Sequence, residues 1–266
     1  MNIGFIGGGK MAEAILGGLI AKGAVRPAEI LASDVSAERR AWLARQYGIG
    51  VTGANRDAAA HGLVLFLAVK PQQLDEVLRE LAADVTAGHL VVSIAAGKTT
   101  GWIEERLTRG RVVRVMPNIA CLVGEGMNAF ARGARATASD AVVVRELLEC
   151  CGRAVELPEA SFDAVTALSG SGPAFFAYVL DRFVDGAVRE GLPRKDALLL
   201  AEQTLLGTAR LLIEKGMEPS DLAASVTSAK GTTAEGRLIL ETDAVAEALR
   251  RTIEAAARRS RELRQG

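Results

Sequence analysis

A glycine-rich turn near the start of the chain constrains the fold more than any other feature. One run reads GGGKMA from Gly7 onward, matching G-x-G-x-x-A, and stands between an apolar run at Asn2–Ile6 and a helical pattern at Met11–Lys22. Gly7 allows a tight turn, Gly9 lets a pyrophosphate approach the backbone and Ala12 lets the helix pack close to the strand. The pattern predicts a dinucleotide-binding strand, turn and helix; a simple packing turn is the alternative.

Short β-rich runs alternate with helix-length segments through the first half of the chain. Such alternation predicts βαβ units, a parallel sheet and helices on both of its faces. Further strands are predicted at Glu29–Ser33, Leu63–Val69, Leu90–Ile94 and Arg111–Met116, with edge strands at Met127–Ala131 and Ala154–Leu157 around a helix at Asp140–Cys150.

The pattern changes after Pro158, where β signals end and helical periods begin. We therefore predict an α/β fold of two domains, a Rossmann domain over 1–158 and an all-helical domain over 159–266. The predicted helix Arg194–Lys215 is apolar on most of its sides, and such a helix needs burial on most sides. One compact bundle could supply that burial, but few helices are available, which favours a homodimer. The other helices are predicted at Phe162–Glu190, interrupted by SGSGP, and at Asp221–Val226, Ala234–Leu240 and Ala244–Leu263.

Composition limits the classes of function. Lys+Arg and Asp+Glu each number 32 in 266 residues, so the net charge is zero and no nucleic-acid or membrane-surface partner is indicated. Three cysteines, with Cys150 and Cys151 adjacent, and two histidines do not suit a disulfide framework or a metal site. No signal-peptide pattern or membrane-spanning stretch is recognisable, so a cytoplasmic protein is expected.

The end of the second predicted strand carries conflicting signals about the dinucleotide. Asp34 would bond a free ribose 2′-hydroxyl and repel a 2′-phosphate, whereas Ser33 and Ser36, with Arg39 close by, would accept the phosphate. Helix capping explains Asp34 or Ser36 equally well. NADP is our expectation, with NAD as the alternative.

Three more strands end in turns of small residues and proline. Ligands of open α/β sheets bind outside these carboxyl ends, and small residues there let a nicotinamide lie against the backbone. Lys70 could act as a catalytic acid, but a surface or ribose-facing lysine is favoured because Pro71 already explains the turn. The three ends read Val69-Lys70-Pro71, Ala95-Ala96-Gly97 and Met116-Pro117-Asn118.

A hydroxyl-rich loop over 225–233 lies between two predicted helices. Successive free N–H groups and hydroxyls at a helix start form an anion site that suits a small carboxylate, although a helix cap explains the loop equally well. The sequence has no G-x-S-x-G motif, no paired carboxylates and only two histidines. The cofactor would therefore carry the hard chemistry, as expected for reduction of an imine.

Together these motifs resemble the pyrroline-5-carboxylate reductase family, nearly from end to end. The resemblance implies a reductase that transfers hydride to the C=N bond of 1-pyrroline-5-carboxylate, with an interlocked dimer that assembles further, commonly into decamers. The matching runs are GFIGGGKMAEAILGGL at the start, AVKP at Ala68–Pro71, SIAAG at Ser93–Gly97, RVMPN at Arg114–Asn118, LSGSGPAFF at Leu168–Phe176 and PSDLAASVTSAKGTTAEGRLILE at Pro219–Glu241.

The motifs and the resemblance also assign site residues. Backbone N–H groups of the loop would hold the substrate carboxylate, and Thr233, the catalytic candidate, would hydrogen-bond the ring nitrogen. The substrate residues are Ser228, Ala229, Lys230, Gly231, Thr232 and Thr233. The cofactor residues are Ile6, Gly7, Gly8, Gly9, Lys10, Met11, Ser33, Asn55, Ala68, Val69, Lys70, Pro71, Ala95 and Gly97.

Two departures from the family pattern keep other functions open. The family reads S-P-G-G in the substrate loop where this chain has Ala229 and Lys230, and N-T-P where it has Ile119 and Ala120. A related imine reductase with another substrate, or a dinucleotide-binding regulatory protein that lost catalysis, are the alternatives. A β-hydroxyacid dehydrogenase is disfavoured, because the segment 174–180 lacks the lysine that such enzymes use.

Overall fold

An eight-stranded sheet forms the centre of the N-terminal part of the computed structural model, which describes residues 1–265. The strand order is β3-β2-β1-β4-β5-β6-β7-β8, and all neighbours are parallel except β6 and β7. The strands are β1 (Ile3–Ile6), β2 (Ile30–Ser33), β3 (Gly50–Thr52), β4 (Val64–Leu67), β5 (Leu90–Ser93), β6 (Arg111–Met116), β7 (Gly126–Arg132) and β8 (Gly152–Glu156).

Helices cover both faces of this sheet, which explains why its central strands are apolar along their whole length. Every residue of β1, β4 and β5 is buried, and Phe5 stacks on Phe66 with ring centroids 4.7 Å apart. The helices are α1 (Lys10–Ala21), α2 (Ala37–Tyr47), α3 (Asn55–His61), α4 (Leu74–Leu81), α5 (Thr100–Glu104) and α6 (Ala138–Glu149). The predicted Rossmann architecture is confirmed.

The remaining chain is helical. It comprises α7 (Phe162–Val165), α8 (Gly172–Arg189), α9 (Arg194–Lys215), α10 (Pro219–Ser225), α11 (Thr232–Leu240) and α12 (Asp243–Gln265). By packing, the chain divides into one compact unit of Met1–Ser171 with the chain from Ala256 onward, and a second of Gly172–Ala255. The functional division at 158 and 159 stays a prediction. Within residues 1–265, no helix combines the length and the apolar character needed to cross a membrane.

Helices and strands with a long apolar pattern were predicted correctly from the sequence, whereas short or exposed ones were not. The bounds predicted for β6 and α9 agree with the structure. Strand β3 was missed because it has three residues, none of them buried, at the sheet edge. The SGSGP segment predicted to interrupt a helix instead continues it through a π-helical turn at Thr166–Gly170.

A buried ion pair fastens the chain beyond Pro158 to the sheet. Arg114 of β6 is 2% exposed and donates to the Glu159 carboxylate at 3.2 Å, while Thr100 donates to the same carboxylate through its N–H and its hydroxyl. Burial lowers the pKa of the Arg114 guanidinium, and the bond to Glu159 opposes that effect. Glu159 therefore neutralises the charge of Arg114 and caps α5 at once.

We predict that Glu159→Ala lowers the free energy of unfolding by about 3–5 kcal/mol, because it leaves the Arg114 charge buried without a partner. Glu156→Ala is the matched control, since Glu156 pairs with Arg132 on a solvent-exposed edge. There we expect a loss of about 0.2–1 kcal/mol. Urea unfolding of both variants measures the two effects, and equal losses would contradict the role given to Glu159.

Candidate active site

The glycine turn follows β1, and backbone hydrogen bonds link the end of β1 and this turn to both neighbouring strands, β2 and β4. Gly7 has φ 94°, and its N–H donates to the Ser33 carbonyl of β2 at 2.9 Å. On the other side, the Ala68 N–H donates to the Ile6 carbonyl at 2.8 Å. A Cβ on Gly7 would lie 2.9 Å from the backbone of Ala68. Only glycine suits this conformation and this close approach.

Gly9 leaves the start of α1 open. It precedes Lys10, the first residue of the helix, and a Cβ built on Gly9 meets no atom within 4 Å. Gly7 and Gly9 line a cavity of about 440 Å³ outside the carboxyl ends of β1 and β4. Free N–H groups and the positive end of a helix dipole therefore face a space that a pyrophosphate fits. We call the turn at Gly7–Gly9 and the start of α1 the pyrophosphate cradle, and its shape suits a dinucleotide.

The cavity, which we call the dinucleotide cleft, collects six of the predicted cofactor residues. They are Gly7, Gly9, Asn55, Ala68, Val69 and Lys70. The cleft is also lined by Asp34, considered above as a partner of the ribose, and by residues for which the sequence predicted no role: Val35, Gln73, Glu76, Val77 and Glu80. These five residues lie in turns and helices without a motif, so only the fold could identify them.

The other predicted cofactor residues lie around the cleft or away from it. Ile6 and Gly8 are buried beneath the turn, Lys10 is exposed and Met11 is half-buried. Gly8 instead donates its N–H to the Asp34 carboxylate at 2.9 Å. Pro71 and Gly97 line a different cavity, described below, and Ala95 is buried beneath it.

Ser33 and Asn55 form one polar chain at the floor of the cleft. The buried Ser33 hydroxyl donates to the Asn55 amide oxygen at 2.8 Å, and the Asn55 amide nitrogen donates to Glu80 at 2.8 Å. These two hydrogen bonds fix the orientation of the Asn55 amide. The sequence predicted Ser33 and Asn55 near the adenosine ribose but gave no signal for Glu80.

Charged side chains at the end of β2 already have hydrogen-bond partners, most of them backbone groups. The Asp34 carboxylate accepts from Gly8 and from the N–H of Ser36, each at 2.9 Å. Arg39 donates to Glu13 and to the Gly8 carbonyl, each at 2.5 Å. Arg40 uses one nitrogen for the carbonyls of Asp34 and Val35, at 2.6 and 3.1 Å. Arg40 is thus held over the β2–α2 loop.

A second cavity, of about 680 Å³, lies at the ends of β4 and β5 within the first unit. Gly97, with φ 76°, lines it, and a Cβ there would lie 3.4 Å from the Leu263 carbonyl of α12. Hydroxyl groups of Thr166, Ser171 and Ser260 also line it. Of these residues, Ser171 belongs to the SGSGP run, and the sequence alone indicated no function for that run.

The predicted substrate loop lies in the second unit. The Gly231 N–H donates to the Ser228 carbonyl at 3.0 Å, closing a β-turn in which Lys230 has φ 61°. Among residues 1–265, Lys230 is the single non-glycine residue with positive φ. Gly231 then begins α11, and Thr233 lies half-buried in its first turn. The loop therefore presents N–H groups at a helix start, as the anion site requires.

Comparison with known proteins covers the whole chain. A family model for pyrroline-5-carboxylate reductase dimerisation matches residues 159–263, and one for NADP oxidoreductase, coenzyme F420-dependent, matches residues 2–97. Pyrroline-5-carboxylate reductase of Methanosarcina acetivorans is 45% identical over 98% of this chain and 97% of that protein.

Solved structures give the same result. A pyrroline-5-carboxylate reductase from Coxiella burnetii superimposes with a TM-score of 0.93 at 34% identity, covering 98% of each chain. Pyrroline carboxylate reductase from Plasmodium falciparum, with NADP bound, has a TM-score of 0.88 at 26% identity and covers 99% of this chain and 98% of its own. With such identity to its relatives over nearly the full length, the chain belongs to the pyrroline-5-carboxylate reductase family.

Proposed function

We propose that the chain reduces 1-pyrroline-5-carboxylate to L-proline, using a nicotinamide dinucleotide. The observation that carries the proposal is the open cradle at Gly9, in a chain that matches reductases of this name from end to end. When bound, the dinucleotide supplies the hydride that adds to the C=N carbon. The chain itself has to hold, orient and shield the reactants.

The substrate loop performs the orienting role. The free N–H groups at the start of α11 and the turn at Ser228–Gly231 bind the substrate carboxylate. The Thr233 hydroxyl hydrogen-bonds the ring nitrogen and fixes the ring for attack. Because an imine nitrogen is protonated near neutral pH, orientation replaces a strong general acid.

The activity test is oxidation of NADPH by the purified protein with 1-pyrroline-5-carboxylate, compared with 1-pyrroline, which lacks the carboxylate. We predict turnover of the carboxylate substrate, and a fall in kcat of about 10²-fold in Thr233→Val, the size that misplacement of a reacting group can cost. Thr242→Val, at the far end of α11, is the control. Equal rates for the two variants would remove Thr233 from the mechanism.

We predict that Gly9→Val weakens NADPH binding at least about 100-fold, or roughly 2.8 kcal/mol. The branched side chain would occupy the space of the pyrophosphate, while the fold survives because that space holds no protein atom. Titration of NADPH and thermal unfolding measure the two effects. Gly101→Val provides a control at an equally open glycine. Undiminished affinity in a folded Gly9→Val protein would refute the cradle.

For the dinucleotide we propose NADPH over NADH, with Arg40 as the partner of the 2′-phosphate. Arg39, the earlier candidate, is paired with Glu13 and packs on Trp42, 4.5 Å from its ring centroid. Arg40 lies over the β2–α2 loop with only its Nη1 bonded to the loop carbonyls. The Asp34 charge opposes the phosphate, but two N–H donors already stabilise it.

Replacement of Arg40 by alanine tests this choice. A charge-assisted hydrogen bond contributes about 1.5–3 kcal/mol, so we predict that the KM for NADPH rises about 10- to 100-fold in Arg40→Ala, while that for NADH stays unchanged. Arg45→Ala, on the exposed side of the same helix, is the matched control. An equal rise in KM for NADPH and NADH would show instead that Arg40 only stabilises the β2–α2 loop.

Lys230 occupies a position where the family has glycine, and its backbone shows why glycine is favoured. The left-handed conformation at φ 61° costs a residue with a Cβ roughly 1–2 kcal/mol. The lysine stem is long and exposed, so its ammonium can reach solvent or the substrate carboxylate. We propose that the loop keeps its N–H donors and that the lysine alters substrate affinity.

We predict that Lys230→Gly changes KM for the substrate more than kcat and raises the free energy of unfolding by up to about 1 kcal/mol. Lys230→Ala removes the charge but keeps the strained backbone, so it should share the KM effect without the gain in stability. Steady-state kinetics and urea unfolding separate the two. A kcat raised by orders of magnitude in Lys230→Gly would show that Lys230 suppresses the reaction.

We further propose a homodimer formed through residues 159–266, in a cytoplasmic enzyme. Helices α8 and α9 carry a groove of about 460 Å³ lined almost wholly by apolar side chains, among them Phe176, Phe183, Leu200 and Leu205. These side chains are each more than 40% exposed in the single chain. A second copy covers this face, which agrees with the dimerisation family model.

A further inference from the structure

Three cysteines of the first unit lie close together, and the proposed reaction uses none of them. Cys121 lies in the short helix Ile119–Val123 that follows β6, and Cys150 and Cys151 follow α6. Cys121 and Cys151 are 2% and 0% exposed. Within residues 1–265, no group of three or more His, Cys, Asp or Glu side chains is arranged to hold a metal ion. Thiols that lie together and that the reaction does not use are candidates for oxidation.

One amide group brings two of the sulfurs together. Asn128 of β7 accepts from the Cys121 thiol through Oδ1 at 3.3 Å, and its Nδ2 lies 3.7 Å from the Cys151 sulfur. The same Nδ2 donates to the Arg153 carbonyl at 3.2 Å, which fixes the orientation of the amide. Both thiols are thereby held against a single buried side chain.

A cavity of about 530 Å³ lies beside Cys121, one member of this pair. It is lined by Cys121 and Cys150 and by one side of α1, including Glu13 and Lys22. A hydrogen bond with the Cys151 thiol places the pKa of Cys121 below the usual value. The same bond, together with burial, raises the pKa of Cys151. Of the two, Cys121 is thus the one that borders the cavity, and it is also the better nucleophile.

We propose that Cys121 and Cys151 are a modification site that forms a reversible disulfide with hydrogen peroxide. The Cys121 sulfur attacks one peroxide oxygen, so an S–O bond forms, the O–O bond breaks and hydroxide leaves, taking the thiol proton to become water. The Cys151 sulfur then attacks the Cys121 sulfur; the S–S bond forms, the S–O bond breaks and a second water leaves with the Cys151 proton. Two thiols are oxidised by two electrons and one peroxide is reduced.

The disulfide acts on the dinucleotide cleft through α1. A Cβ on Gly18 of this helix would lie 2.9 Å from both the Cys150 carbonyl oxygen and the Cys151 Cβ, so helix and cysteines are in closest packing. Closely packed interiors transmit such shifts. Joining the two sulfurs moves at least one of these segments, and α1 carries the pyrophosphate cradle at its other end. Oxidation therefore weakens dinucleotide binding.

The disulfide itself is tested without the cofactor. The full chain is treated with hydrogen peroxide, and free thiols are counted after denaturation. We expect three thiols to fall to one, with a mass lower by two hydrogen atoms and recovery in dithiothreitol. Peptide mapping should join Cys121 to Cys151. Three surviving thiols, a Cys150–Cys151 bond or a bond between two copies would each overturn the proposal.

Variants identify the pair and its effect. Cys150→Ser should keep the full response to peroxide, whereas Cys121→Ala and Cys151→Ala should each lose it. In the wild-type chain, oxidation should raise the Kd for NADPH by about fivefold or more, the lower end of typical coupling between sites. This effect rests on the proposed cofactor, whereas the thiol count does not. A disulfide that leaves NADPH affinity unchanged would overturn the coupling through α1.

Discussion

The backbone approach at Gly7 is the constraint on which the site depends. The turn after β1 passes within contact distance of Ala68 at the end of β4, and it is bonded to β2 on its other side. A side chain at Gly7 would push these strand ends apart. Since β1 lies between β2 and β4, this is also the place where the direction of strand addition reverses, and ligands of open sheets bind at such points. Gly7 thus allows the three strand ends to meet at the edge of the cleft.

The positions of the charged side chains at the end of β2 depend on the glycine turn, because two of them bond to Gly8. The Gly8 N–H, exposed by the sharp bend, is satisfied by the Asp34 carboxylate, and the Gly8 carbonyl is satisfied by Arg39. Asp34 and Arg39 therefore stabilise the turn before any ligand binds. Residue type alone is a poor guide to dinucleotide preference here, because the same charges that could select a ribose already have partners in the protein.

Local patterns were sufficient to predict the Rossmann sheet, the helical second half and the glycine cradle. What escaped prediction depends on contacts between distant parts of the chain. Glu80 bonds Asn55 across 25 residues of sequence, and Ser260 of α12 donates to Asp163 at 2.8 Å across 97. No motif marks either contact. The return of α12 to the first unit, and with it one wall of the 680 Å³ cavity, is a property of the folded chain alone.

The departure from the family pattern after β6 lies in a short helix whose backbone bonds do not depend on the residue at position 120. The short helix Ile119–Val123 is held by the carbonyl of Ala120, which accepts from Glu125 at 3.1 Å, and by the N–H of Cys121, which donates to Asn118. A proline at position 120 would keep both of these bonds, since it lacks only its own N–H. The Asn118 side chain still joins the Ser169 carbonyl to the N–H of Met127. Alanine in place of proline at position 120 therefore leaves these backbone contacts unchanged, and Ala120 gives no reason to assign another substrate.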